Sequence, residues 1–420
     1  MKIGIDASRA FQKNRTGIEE YSYQVIKHLM SKLEGHQVIL YVKKSQKSKV
    51  KSQKLPDNWR FKIISFPYLW TQVGLSLEML FHPVDILFIS AHIVPCIHAR
   101  NTIVTIHGLE YEFCLKAYSW WARIYMRWSI RKSCKWAKKI IAVSENTKRD
   151  LMKLYKVSEN KIKVIYEGIT YGVIASEAKQ SQNNISTKIE DEIAAVAMLP
   201  RNDRVGKPYL LFIGRLEERK NICGIIEAYK ILKEKYNIPH SLILAGAPGY
   251  NYKIIKLKIR FYLKIKNLKL KIIELGYIDE ATKWQLMSNA DIFLFPTFYE
   301  GFGLPILEAQ SVGVPVVASD NSSIPEVVRL PLLPLGEGAR RADEGNSDNL
   351  PHPSPLPEGV EDNYSALLVN PENPSEIAEA AYKLISNKEL RNDIINKGYE
   401  NVKRFSWEKC AEEIAGLLKE

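Results

Sequence analysis

The sequence predicts an α/β protein made of two Rossmann-like, doubly wound domains that face a central cleft. Three observations predict it. The chain has 420 residues, 46% of them hydrophobic and 25% charged, which is long enough for two or three domains and too apolar for disorder throughout. Short apolar runs alternate with longer stretches of helical period in the first half, the pattern of a parallel sheet wrapped by helices. The same alternation begins again at Tyr209.

Taken in order, apolar runs predict strands over 2–6, 37–42, 62–65, 86–90, 102–106, 139–143 and 163–166. Ile18, Tyr21, Val25, Ile26 and Leu29 keep helical spacing after a Thr16-Gly17 start whose backbone N–H groups can face an anion. Ser144 is placed to cap a helix that begins at Glu145. In the second half the expected elements are a strand over 209–213, a helix over 221–235, strands over 241–245 and 271–275, and a helix over 280–289. A strand over 292–296, a helix between 303 and 313, a strand over 315–318 and a helix over 374–385 follow.

These elements divide the chain into an acceptor-side domain over residues 1–169, a linker over 170–206, a second domain over 207–404 and a helix over 405–420 expected to pack back toward the first domain. Two stretches break the rhythm, 173–204 and 330–361, each of 32 residues with biased composition. Strings such as ASEAKQS with LPRND, and GEGARRADEG with PHPSPLPEG, resemble translated bacterial interspersed repeats. Both are expected to be disordered excursions; ordinary long loops are the plainer alternative.

The net charge is +13. Residues 1–169 hold 29 Lys+Arg against 13 Asp+Glu, so they carry +16 and the remainder carries −3. Six lysines fall in 43–54, and eight basic residues with no acid in 116–139. The latter segment reads as a helix with Ala117, Trp121, Ile124 and Trp128 on one face and Arg123, Arg127, Arg131 and Lys138 away from it, which suits an anionic membrane surface. The alternative is that its tryptophans pack into the core. Nucleic-acid binding is not expected, because no nucleic-acid module is recognisable. The five cysteines are widely spaced and read as reduced thiols, and no His/Asp/Glu spacing justifies a metal site. With no export signal and no apolar run near the roughly 20 residues that span a bilayer, a cytoplasmic location is expected.

The most informative string runs from Phe295 to Ala309, PTFYEGFGLPILEA after the phenylalanine. Glu300 closes a strand-to-turn segment, Gly301 and Gly303 permit close backbone approach, and the amides of Phe302 and Leu304 lead into a helix aimed at the crevice. Glu308, on that helix, can accept two hydrogen bonds from vicinal hydroxyls. Upstream, Gly214-Arg215 and Lys220 follow a strand and precede a helix, where cations can meet a diphosphate; an ion pair with Glu217 or Glu218 is the structural alternative. His107 stands at the carboxyl end of a strand, on the side where the cleft belongs.

The strings GRLEERKN, LGYIDEATKWQLMSNADIFLFPTFYEGFGLPILEA, GVPVVASDNSSIPEV and FSWEKCA resemble the family 4 retaining glycosyltransferases of GT-B fold. The resemblance covers nearly all of the chain outside the two biased stretches. It implies that Glu308 holds the nucleotide ribose and Glu300 the hydroxyls of the transferred sugar, with Arg215 and Lys220 neutralising the diphosphate. It also implies that His107 contacts the sugar, Gly17 forms the loop by the phosphates, and Tyr277-Ile278 lies against the base. Two departures stand out: Gly108 where the family often has Asp, and Tyr166-Glu167-Gly168 where it often has PNG or PLG.

The expected function is retaining, metal-independent transfer of a hexose, mannose by family frequency, from a nucleoside-diphosphate sugar. The expected acceptor is a lipid-linked or lipopolysaccharide glycan at the inner face of the cytoplasmic membrane, and no cofactor is expected. The alternative is a nucleotide-sugar-binding protein whose turnover the two inserts have spoiled.

Overall fold

The computed structural model describes residues 1–12, 15–66, 68–170, 208–264, 270–331 and 363–420. Residues 173–204 and all but the first two of 330–361, the stretches expected to be excursions, lie outside the described residues.

Two parallel sheets form the architecture. The first has seven strands, β1 (Lys2–Asp6), β2 (Gln37–Lys43), β3 (Trp59–Ile64), β4 (Ile86–Ile89), β5 (Asn101–Ile106), β6 (Lys139–Ala142) and β7 (Ile162–Val164), in the order β3-β2-β1-β4-β5-β6-β7. The second has six, β8 (Tyr209–Ile213), β9 (Ser241–Ala245), β10 (Ile272–Gly276), β11 (Ile292–Phe295), β12 (Val316–Ser319) and β13 (Leu367–Val369), in the order β10-β9-β8-β11-β12-β13. In both, the order reverses beside the first strand, the switch point at which open α/β sheets leave a crevice beyond their carboxyl ends. Ile5 pairs with Leu40 on one side and Phe88 on the other, and all three are fully buried because helices cover both faces.

Ten helices of eight or more residues lie among the described residues: α1 (Gly17–Leu29), α2 (Trp120–Trp136), α3 (Glu145–Tyr155), α4 (Ile222–Tyr236), α5 (Tyr252–Leu263), α6 (Glu280–Asn289), α7 (Leu304–Ser311), α8 (Pro374–Ser386), α9 (Lys388–Val402) and α10 (Trp407–Lys419). The last of them leaves the second domain and packs on α1. Trp407, Cys410, Ala411, Ile414 and Leu418 share one apolar cluster with Tyr21, Val25 and Leu29, and Lys32 reaches Glu408 at 2.5 Å. A chain that crosses back this way ties the halves together at the side of the cleft.

The structure moves several elements from their expected positions. β3 starts at Trp59 rather than 62, because Trp59 pairs with Val38 and is buried while the intervening Arg60 points to solvent. α5 and β13 have no counterpart in the expectation: lysines interleave the apolar residues of the first, and the second follows directly on the biased stretch. The basic helix is shorter than 116–139. Ser119 caps it by accepting from the Ala122 N–H, Ala137 is already extended toward β6, and Ala117 lies outside it in a short turn.

Candidate active site

The donor side begins where β8 ends. Glu218–Lys220 make a single 3-10 turn and Asn221 adopts a left-handed backbone (φ 56°). The Asn221 side chain accepts from the Gly224 N–H at 3.1 Å and donates to the carbonyls of Pro296 and Pro371 at 3.0 and 2.6 Å. That clamp caps α4 and turns Arg219 and Lys220 toward the end of β11. There Glu300 receives Lys220 Nζ at 2.5 Å and an Arg219 N–H at 3.2 Å, while Arg219 also bonds the Tyr299 carbonyl and Glu217. Burial alone pushes the Glu300 carboxyl up, but the Lys220 and Arg219 charges outweigh it and hold it below the usual carboxylate range. Burial lowers Lys220, with Glu300 opposing.

Gly301 and Gly303 carry different demands. A side chain at Gly301 would place its first carbon 1.4 Å from the His107 carbonyl oxygen, so the backbones of the two domains touch there and nothing larger fits. Gly303 has φ 119° at the N-terminus of α7, a conformation that L side chains rarely adopt. One turn into α7, Glu308 pairs with Lys283 of α6 at 2.8 Å. Burial raises the Glu308 carboxyl and the Lys283 charge opposes that rise.

Across the junction the groups are of another kind. His107 Nε2 donates to the Ser90 carbonyl at 2.9 Å and Nδ1 faces Glu167 Oε1 at 3.2 Å, so acceptors at both ring nitrogens fix its orientation. Tyr21 and His92 pack edge-on against the ring, with centroids at 4.5 and 5.3 Å. His92 is buried with φ 54°; burial, followed by the His107 and Arg9 charges, drives it well below the usual imidazole range.

Direct bonds join the two sides. Ser144 donates to the Gly301 carbonyl at 2.7 Å, Tyr299 donates to Asp150 at 2.6 Å, and the first N–H groups of α3, from Glu145 and Asn146, meet the Glu326 carboxylate at 2.7 and 3.1 Å. A carboxylate at a helix N-terminus is the favourable sign for its dipole.

The structure therefore brings Glu300, Lys220, Gly301, Gly303 and His107 to one junction, with Glu308 a helical turn away. Arg215 is exposed beside Gly249 and does not join the Glu300 pair, whereas Arg219, next to Lys220, does. The structural alternative, an ion pair of Lys220 with Glu217 or Glu218, is not found; its partner is Glu300. Gly17 opens α1 at an exposed position, Gly214 ends β8, and Ile278 packs partly against the second core beside an exposed Tyr277. The Phe302 side chain is buried against Tyr166 and Phe405, and Leu304 borders the same cluster, so only their backbones can serve a ligand.

The arginines of α2 are engaged locally: Arg127 pairs with Glu112, Arg131 lies over the Tyr155 ring at 4.9 Å while remaining exposed, and the Arg123 Nε is buried. Trp121 is 73% exposed, and Trp120, Ile124, Tyr125 and Trp128 are exposed with it. Packing of the tryptophans into the core is thereby ruled out, and of the three arginines Arg131 is exposed while Arg123 and Arg127 are partly covered.

Three residues of the site escaped the sequence reading. Arg219 and Lys283 stand inside the quoted strings, adjacent to Lys220 and three residues after Glu280, and both carried a charge signal. Glu167 lies 60 residues from its partner His107, and the sequence marks it only as part of the Tyr166-Glu167-Gly168 departure, with no role attached.

Known proteins match in the same two blocks. Residues 15–171 match the family described as Glycosyltransferase Family 4, and residues 200–330 match Glycosyl transferases group 1. An O-antigen chain mannosyltransferase B of Escherichia coli is 26% identical over 321 residues, which are 76% of this chain and 70% of that protein. Sucrose-phosphate synthase from Thermosynechococcus elongatus superposes with a TM-score of 0.68 at 17% identity, covering 100% of this chain and 98% of that one. The Anabaena protein HepE, in complex with UDP-glucose, gives 0.67 at 15% identity, with 100% and 99% covered.

Proposed function

Because this chain belongs to the family 4 glycosyltransferases of GT-B fold, we propose that it moves a hexose, mannose first among candidates, from a nucleoside diphosphate to a membrane-held glycan. The product would enter a cell-surface polysaccharide or lipopolysaccharide, as the E. coli relative's name describes for that protein. The observation that carries the reading is Glu300, buried on Lys220 and Arg219 at the Gly301–His107 junction.

In the proposed reaction the anomeric carbon loses its bond to the diphosphate oxygen, which keeps the electron pair. The acceptor hydroxyl forms the new bond on the same face and its proton passes to that departing oxygen. Lys220 and Arg219 stabilise the charge that develops on the diphosphate, with Arg215 at the outer edge, and the amides of Gly301 to Leu304 add fixed dipoles. Glu300 orients sugar hydroxyls, Glu308 the ribose, and His107 the reacting face of the sugar, while Ile278 borders the base and Gly17 the phosphates. The two cations supply what a divalent ion supplies elsewhere, so the proposed transfer needs no metal.

The acceptor reading follows from α2. Exposed Trp120, Trp121, Tyr125 and Trp128 form an aromatic face of the kind that sits at headgroup level, with Lys135 and Lys138 exposed farther along. No helix among the described residues is long and apolar enough to cross a membrane, and the proposed location is peripheral, at the cytoplasmic face. The test is transfer from GDP-mannose to membrane acceptors in EDTA, with the product anomer read by NMR. The α-anomer is expected; a β-linked product, or transfer abolished by EDTA, contradicts the mechanism.

A further inference from the structure

Helix α5 presents an unpartnered face on the second domain, whereas α2 belongs to the first. Only Ile255 and Ile259 of its residues are buried. Ile254, Leu257 and Phe261, at i, i+3 and i+7, are 56%, 65% and 64% exposed and line up on one side of the helix. Lys253, Lys256, Arg260 and Lys264 are exposed too, whereas Lys258 is taken up by Glu227 of α4 at 3.0 Å. From Tyr252 to Ile273 the sequence holds eight basic residues and no acid.

An apolar stripe flanked by cations, with no acid among them, complements an anionic lipid surface: the stripe buries in the headgroup boundary while the ammonium and guanidinium groups meet phosphates. A second protein copy would need acids to answer the same cations, and this helix has none to offer in return. We infer that α5 is a second membrane-docking surface, specific for anionic phospholipid and carried by the domain opposite α2. The inference rests on the reading of a membrane-held acceptor, and it attaches both sides of the cleft to the bilayer rather than one.

Co-sedimentation with vesicles of phosphatidylethanolamine and phosphatidylglycerol tests it, with phosphatidylcholine vesicles as the neutral control. Three variants are compared: Ile254→Ser/Leu257→Ser/Phe261→Ser, Lys253→Glu/Lys256→Glu/Arg260→Glu, and Trp121→Ser/Trp128→Ser. All substitutions are at surface positions, and an unchanged unfolding midpoint verifies the fold. Each α5 variant is expected to weaken binding to anionic vesicles about tenfold or more, with little binding to phosphatidylcholine by any protein. Unaltered binding by both α5 variants overturns the inference, as does absence of vesicle binding by the unmutated chain or a dimer that the serine variant dissociates. Loss in the tryptophan variant alone leaves the α2 reading standing without α5; loss in the α5 variants alone does the reverse.

Discussion

The two walls of the cleft solve different problems with different chemistry. On the second domain, charges are buried in opposed pairs, Glu300 with Lys220 and Arg219, and Glu308 with Lys283. On the first, His107, His92 and Tyr21 pack as rings, held by a carbonyl and a single carboxylate. Buried charges are tolerated only when compensated. A wall of compensated pairs can exchange partners with an anionic diphosphate, while a wall of oriented rings suits uncharged hydroxyls. On the proposed function, the paired charges put most of the affinity for the donor on the second domain, and the transferred sugar is shared between Glu300 there and His107 on the first.

The sharpest way to break that comparison is Glu300→Gln. It leaves buried Lys220 without its carboxylate and Arg219 with Glu217 alone, and a loss of about 3–5 kcal/mol is expected in denaturant unfolding, together with loss of transfer. Adding Lys220→Met to the same chain is expected to recover part of the stability and none of the turnover. A stability loss in Glu300→Gln below about 1 kcal/mol would mean that the pairs are not the compensated units described.

Next in size is Gly301→Ala, whose methyl would overlap the His107 carbonyl. The domains must part to admit it, at a cost of about 1–3 kcal/mol, and transfer should fall while nucleotide affinity changes little. Tyr299→Phe removes the bond to Asp150 and the acceptor for the Leu109 N–H. About 1–2 kcal/mol is expected from the lost bond and the unpaired partners, read from the unfolding midpoint.

The smallest effect sharpens the first wall. The pKa of His92 in the folded protein lies well below 6.5, the ordinary value. Above pH 6.5 both states are neutral and stability is full; as pH falls below it the unfolded chain takes up a proton that the folded chain refuses, and stability declines. His92→Asn, which tolerates the left-handed backbone, is expected to flatten unfolding free energy against pH between about 6.5 and 5. An unchanged slope would assign that decline to another group.

Much of this arrangement was legible in the sequence, and the reasons differ by residue. β1, β8 and α6 have the expected bounds because apolar runs and an Asp279 cap announce them. Glu300, Gly301 and Glu308 stand out because acids and glycines at a strand-to-helix turn have few structural uses. That Arg219 reaches Glu300 beside Lys220 depends on the rotation of one 3-10 turn, which composition does not encode. The pairing of His107 with Glu167 depends on the segments after β5 and β7 meeting beyond the end of β6, the strand between them. For α2, only the positions of Glu112 and Tyr155 decide which arginines are engaged by the domain.

The central claim of the proposed function is that the second domain supplies most of the affinity for the nucleotide. Calorimetric titration of UDP, GDP, ADP and dTDP into the unmutated chain, Glu308→Ala and His107→Ala tests it most directly. One nucleotide should bind the unmutated chain and His107→Ala alike, and fail to bind Glu308→Ala. Binding that survives Glu308→Ala but is lost in His107→Ala, or no binding of any nucleotide, would contradict the account.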